Sequence, residues 1–382
     1  MRKVLIILLI TSTTASAQIS FEKVDSTSYT QFQNGEWDKL ILTAQEALAD
    51  NIDFKHLRQR TGYAYFSKGE YYKAIYQYEK SLTFDPHDDI SHLYLYYSGL
   101  NTGNKTYALY HASKLSSETK ESIGLKSFKI IDAIDSEYNK KLNDNDLRSN
   151  PDYMRIGLNT QLAYRLQLYQ SVSRYSQTFS NIYYSIQNEY IASLGLTLSD
   201  RTNLKLGYHA VSTSIDSAGS VVRIPSNMFY GKVKFNINRF DLGMSSSVFR
   251  NSFVTSVQSG IEAGVTLSGK HFPYLKTSLY NMKEYNDNRL IFSQTAGMLF
   301  AKKFWFEASV TLGNLNNFVD AEGLYLYNSF DQTTFRTGGS LFWYANKHLT
   351  IFGNYTYDKK LVVSDYSIYN QNSITGGIIW KL

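Results

Sequence analysis

The residue best suited to catalysis in this chain is His209. It lies in a run where Leu204, Leu206, Tyr208 and Ala210 alternate with Asn203, Lys205, Gly207 and His209, and Ser212 and Ser214 follow closely. A serine hydrolase needs a histidine, a hydroxyl within its reach and an orienting acid or amide. Here no motif orders those groups. The chain contains neither G-x-S-x-G nor G-x-x-x-x-G-K-[ST]. Its histidines and carboxylates show no metal-ligand spacing. With no cysteine, thiolate nucleophiles, thiolate metal sites and disulfides are excluded. The expectation is a protein that is not an enzyme and that holds no cofactor and no metal.

A second constellation is one of charge. Arg155, Lys205, Lys232, Lys234, Lys276 and Arg336, with Glu262 and Glu307, fall on one face of alternating segments. If those segments close a barrel, these side chains point into its lumen. A basic lumen favours anions where a pathway is open. Where it is not, inward charges pair with one another and fill the space, which is the reading preferred from sequence alone.

That constellation requires strands. From Asp152 the hydrophobic period is two: Phe304, Phe306, Ala308, Val310 and Leu312 alternate with Trp305, Glu307, Ser309 and Thr311, and Phe229, Gly231, Val233, Phe235 and Ile237 with Tyr230, Lys232, Lys234 and Asn236. Short polar turns recur at 199–201, 238–239, 269–271, 302–303 and 346–348, and longer connections near 171–183, 213–226, 284–289, 315–332 and 360–371. Alternating short and long connections mark outer-membrane barrels. Five short turns imply six hairpins, hence about 12 strands over residues 153–382, the first spanning 153–170, with 10 or 14 strands as alternatives. A strand of about 12 residues, tilted about 40°, rises about 30 Å and covers the apolar band of such a membrane. The last residues place Ile378, Trp380 and Leu382 on the lipid face, resembling the closing strand of barrel proteins, although that strand more often ends in an aromatic residue.

Composition agrees. The chain is 15% aromatic, with 32 Tyr, 22 Phe and only 4 Pro, and its mean hydropathy is −0.32. Alternation hides apolar residues from an average. The net charge of +6 comes without a clustered Lys/Arg patch, so no nucleic-acid partner is expected. At the N-terminus, Arg2 and Lys3 precede an apolar run from Val4 to Ile10, and Ala15-Ser16-Ala17 forms a cleavage site. Residues 1–17 therefore read as a secretory signal peptide, with Gln18 the first mature residue. Lacking cysteine, the exported chain is not expected to be a lipoprotein.

Residues 18–142 read as helical, and a polar, Pro-containing linker at 143–152 separates them from the strands. Gly35, Gly69 and Gly103 are spaced 34 residues apart. The middle unit, with Gly62, Gly69, Tyr71, Ala74 and Pro86, resembles a tetratricopeptide repeat. The flanking units keep Gly35 and Trp37, and Gly103 and Ala108. Residues 122–142, with Ile123, Phe128, Ile131 and Ile134 at near-helical spacing, read as a C-terminal capping helix. The expected fold class is thus α+β multidomain: a helical tetratricopeptide solenoid followed by a transmembrane antiparallel barrel. This layout resembles the YaiO-like outer-membrane proteins of the Bacteroidetes, which implies a place in the envelope more than an activity.

Two readings of function follow. In the first, repeats in the periplasm bind a protein or peptide partner, in envelope assembly or secretion, and the barrel anchors them; the tyrosines at 63, 65, 71, 72, 76, 78, 94, 96 and 97 supply core and binding surface. In the alternative, the barrel is a channel or transporter for small solutes, anions among them. Both expect outer-membrane lipid and the barrel-assembly machinery as partners.

Overall fold

The computed structural model describes residues 20–125, 130–179, 182–217, 219–237, 239–267, 271–363 and 365–382. The expected signal peptide, residues 1–17, lies outside them. The described chain divides into two units, a helical one ending at Thr119 and a β one beginning at Lys120.

The helical unit pairs α1 (Phe21–Gln33) with α2 (Trp37–Ala49), α3 (Lys55–Ser67) with α4 (Tyr71–Ser81), and α5 (Asp89–Asn101) with α6 (Lys105–Lys114); a short α7 (Ser117–Ser122) follows. Each pair turns on a glycine in the left-handed region, Gly35 at φ +69°, Gly69 at +75° and Gly103 at +74°, where a side chain would be strained. Side-chain caps set the helix starts: Ser20 accepts from the Lys23 amide, Asp88 from Ser91 and Asn104 from Tyr107. Leu40, Ala64, Ala74 and Leu95 are fully buried, with Tyr78 among them. Gly62, mid-helix, lets the Tyr78 ring approach: a Cβ there would lie 2.8 Å from the ring. Trp37 sits edge-on to Phe32 and Tyr63, Tyr71 edge-on to Phe66, and Ala108 lies against Gly99. Pro86, at the repeat's terminal position, does not end a helix. The preceding helix stops at Ser81, and Pro86 lies in the loop before α5, where its carbonyl faces Nε2 of His92.

The β unit is a closed antiparallel barrel. In chain order it runs β1 (Ile131–Asn143), β2 (Asp152–Ala163), β3 (Leu166–Phe179), β4 (Tyr183–Thr197), β5 (Thr202–Ser217), β6 (Ser220–Ile237), β7 (Phe240–Asn251), β8 (Thr255–Thr266), β9 (Tyr274–Glu284), β10 (Asp287–Phe300), β11 (Phe304–Leu312), a small hairpin of β12 (Phe318–Asp320) and β13 (Tyr325–Tyr327), then β14 (Gln332–Tyr344), β15 (Leu349–Leu361) and β16 (Ile368–Lys381). Apart from the hairpin, these make a barrel of fourteen strands among the described residues. It closes where β1 pairs β16, from Ala133 opposite Lys381 to Asn143 opposite Gln371. Outward positions such as Ile156, Phe229, Ile261 and Ile374 are exposed, while inward ones such as Gln187, Ser247, Gln258 and Thr356 are buried. A closed sheet that is apolar outside and polar inside is the transmembrane barrel of outer membranes, because closure satisfies every backbone group without water.

Several expectations are corrected. The architecture is not a repeat solenoid with a 12-strand barrel; among the described residues, a short segment of seven helices precedes fourteen barrel strands. The capping helix expected over 122–142 is largely β1. A bulge between Ile131 and Ala133 changes the register, so Ile131 and Ile134, three apart, both face outward and mimic a helical spacing. The expected linker at 143–152 is the β1–β2 connection with the ends of those strands, so the barrel begins at 131 rather than 153. The span 153–170 hides two strands, β2 and β3, split by a two-residue turn at Tyr164-Arg165. Most of the expected long connections are strand. Residues 171–179, 213–217 and 220–226 carry polar side chains because one face of each strand looks into the lumen. The connection between β11 and β14 remains long.

Candidate functional site in the barrel lumen

Residues 313–331, between β11 and β14, fold into the lumen. The backbone reverses at Ala321, Glu322 and Gly323, whose φ values are +46°, +59° and +91°. Two non-glycine residues held in that region are strained and persist only where their surroundings hold them. Asp320 accepts from the Ala321 amide. The turn delivers the Glu322 carboxylate to Lys232 at 2.6 Å and Lys205 at 3.0 Å, and Lys232 also holds Glu262 at 2.6 Å. Gly323 lies against the Tyr230 ring, which a Cβ would approach to 3.2 Å.

Apolar contacts seat the rest of the loop. Val319 packs on Met228 and Phe249, and Leu315 and Phe318 on Met282 and Ile291. Gln258 pairs with the Val319 backbone as a neighbouring strand would, its amide donating to the carbonyl and its oxygen accepting from the N–H, both at 2.9 Å. On the opposite wall, the Tyr325 hydroxyl donates to Glu137 at 3.0 Å, Arg155 reaches the same carboxylate at 3.0 Å, and its guanidinium lies over the Tyr325 ring. At the foot of the loop, Asp331 receives Arg148 through two nitrogens at 2.7 and 3.0 Å and the Tyr369 hydroxyl at 2.9 Å. A cavity of about 750 Å³ remains, bounded by both loop and wall.

The eight charges singled out from sequence stand as follows. Arg155 pairs with Glu137; Lys205, Lys232 and Glu262 join through Glu322. Lys234 pairs with Asp241 at 3.3 Å, and Arg336 with Asp358 at 3.3 Å while lying over the Tyr327 ring. Lys276 and Glu307 line the cavity. The lumen is not uniformly basic. Acids that sequence reasoning missed, Asp135 and Glu137 on β1 and Asp320, Glu322 and Asp331 on the loop, offset the cations. Two signals could have found them. Residues 133–141 read as period two once the bulge is allowed, and the apolar pairs in 318–327 are unusual for a solvated loop.

His209 is fully buried, with Nε2 3.2 Å from Glu189, which also accepts from the Ser173 hydroxyl at 2.7 Å. Ser212 and Ser214 lie an odd number of positions along the strand and face the other side of the sheet. Serine and histidine thus share a carboxylate rather than a proton path. The repeat-defining residues belong to the helical unit and contribute nothing to the lumen.

No family model matches the chain, and no curated protein does either. The tetratricopeptide and YaiO-like resemblances therefore have no support. A 34-residue spacing of glycines follows from the length of a helical hairpin and its turn, whatever the ancestry. Among solved structures, the chain is similar to a monoaromatic hydrocarbon channel, CymD, at 8% identity and TM-score 0.49, over 68% of this chain and 90% of that one. It is similar to the toluene transporter TbuX of Ralstonia pickettii at 7% identity and TM-score 0.47, over 67% and 90%. It is also similar to the KdgM porin in complex with disordered oligogalacturonate at 10% identity and TM-score 0.35, over 65% and 99%. Likenesses this distant carry no argument about substrate.

Proposed function

We propose that this chain is an outer-membrane channel for small polar solutes, narrowed by the inward loop 313–331. One observation carries the reading. A closed barrel keeps a cavity of about 750 Å³, lined by charged and polar side chains among aromatic ones, beside a loop tip that is held largely by ion pairs and hydrogen bonds. Polar contacts of this kind exchange with water at modest cost, so such a loop can set the width and selectivity of a pathway. We place the helical segment in the periplasm, since β1 begins at the end of the barrel where the short turns lie. A partner-binding role for that segment has no comparable observation behind it.

Single-channel recording of the purified full chain in planar bilayers tests the reading. Wild type should show discrete openings, and deletion of 315–329 with a short Gly-Ser join should raise unitary conductance several-fold. Silence from both proteins, with folding verified by a heat-dependent shift on gels, would sink it.

A further inference from the structure

Inside the lumen, the wall formed by β14, β15, β16 and β1 carries an excess of positive charge near the end from which the loop enters. Lys141, Arg336 and Lys360 all line the cavity there. Arg336 is held by Asp358 at 3.3 Å and by the Thr356 hydroxyl at 3.4 Å. Lys360 is buried, and its ammonium donates to the Ser329 hydroxyl at 3.3 Å. Lys141 lies over the Tyr175 ring at 5.6 Å, with no carboxylate in ion-pair range among the described residues. The other nearby acids are engaged: Asp331 by Arg148 and Tyr369, Glu189 by His209 and Ser173. Three cations thus face one available carboxylate.

The two ammonium groups line one cavity, and Lys360 has only the Ser329 hydroxyl and Lys141 only a tyrosine ring beside it. Buried cations are normally paired. Two lysines without a carboxylate of their own match the oxygens of a carboxylate or phosphate. We propose that Lys141 and Lys360 form an oxyanion-binding subsite in the lumen, serving small carboxylated or phosphorylated solutes. The solute role rests on the channel reading; the binding site does not.

The test is calorimetric titration of the full chain in neutral detergent at low salt, with inorganic phosphate and citrate as separate probes. Wild type should bind at least one of them saturably. The double variant K141M/K360M should bind at least tenfold more weakly, since charge-assisted contacts to an oxyanion are the strong ones. K347M, which removes an exposed lysine from the turn between β14 and β15, should bind as wild type does. Methionine keeps the length of the side chain, and removing an unpaired buried charge does not strain the fold; the heat-dependent gel shift checks it. Phosphate binding without citrate, or the reverse, would name the solute class. Absence of binding in wild type, or equal binding in K141M/K360M, would overturn the subsite. Silent bilayers with saturable oxyanion binding would refute the channel and leave the subsite standing.

Discussion

His111 gives the helical unit a pH dependence whose size can be worked out. Nδ1 of His92 lies 2.9 Å from Nδ1 of His111, and Nε2 of His92 faces the Pro86 carbonyl at 3.0 Å. The carbonyl can only accept, so Nε2 of His92 carries the proton and its Nδ1 accepts from Nδ1–H of His111. Nε2 of His111 is then a bare, buried acceptor without a partner. Burial pushes the His111 pKa down to about 3, with the neighbouring His92 and Lys114 acting in the same direction. An unfolded histidine titrates near 6.5. The folded state thus resists a proton that the unfolded state takes up. Stability is fully present above about pH 6.5 and falls as pH drops below it, until the folded group titrates. At pH 5 the gap is about 1.5 pH units at about 1.4 kcal/mol each, or about 2 kcal/mol lost from this residue. The figure needs only a folded pKa well below 5. The His92 pKa is also lowered, chiefly by burial, and adds to the loss. The Asp85 and Asp89 pKa values are lowered too, the first chiefly by the His87 amide and the second by Ser116 and Thr119 against burial; their stability is lost below about pH 4, outside this window. Urea titrations of the full chain in detergent, followed by helical ellipticity at pH 7.5 and pH 5, measure the change. His111→Phe should remove about 2 kcal/mol of the wild-type pH dependence. An undiminished pH dependence in that variant would refute the assignment of His111 as a buried neutral group.

Three other outcomes are expected. Gly62→Ala gains helix propensity of about 1 kcal/mol, yet its Cβ would meet the Tyr78 ring at 2.8 Å; overpacking should win and cost about 1–2 kcal/mol net, read as a lower midpoint in the same titrations. Arg58, buried and held by both oxygens of Asp53 and by Gln77 at 2.8 Å, should cost about 2–3 kcal/mol as Arg58→Met, since partial exposure of Asp53 softens the loss of its partner. Ser136→Lys places a charge between Ile156 and Ile378 on the outward face at mid-β1 and should destabilise the barrel by about 2–4 kcal/mol, whereas Asn139→Lys, which lines the lumen cavity, should cost less. Equal effects of the two, measured by unfolding from lipid vesicles, would count against β1 as a membrane strand.

The capping-helix expectation and the strand it became show where one-dimensional reading fails here. Strands with a long uninterrupted period of two, such as β11 and the 227–237 part of β6, were legible even with Lys232, Lys234 and Glu307 on the inner face. β1 was not, because a bulge shifts its parity and its inward residues, Asp135, Glu137, Asn139 and Lys141, are polar enough to pass for a solvated helix face. The same reasoning misplaced the strand ends near 171–179 and 213–226, where inward polar residues looked like loop. Of the site, the wall lysines and arginines could be picked out by alternation, but not their partners. Glu322 meets Lys205 and Lys232 across 117 and 90 residues of chain, a separation that no local pattern encodes.

By itself, the sequence determined the alternating strands, the helical hairpins with their left-handed glycines at 35, 69 and 103, and the exclusion of thiol chemistry. Each of these is a property of near neighbours: side-chain period, backbone sterics, residue type. The tertiary structure alone decided the number of strands, the closure of β1 on β16, the descent of 313–331 into the lumen and the pairing of charges there. Those depend on which distant segments meet, and a charge means something different when its partner is a carboxylate 90 residues away rather than water. The lumen that looked basic in one dimension is nearly balanced in three, and the excess survives on one wall, at Lys141 and Lys360.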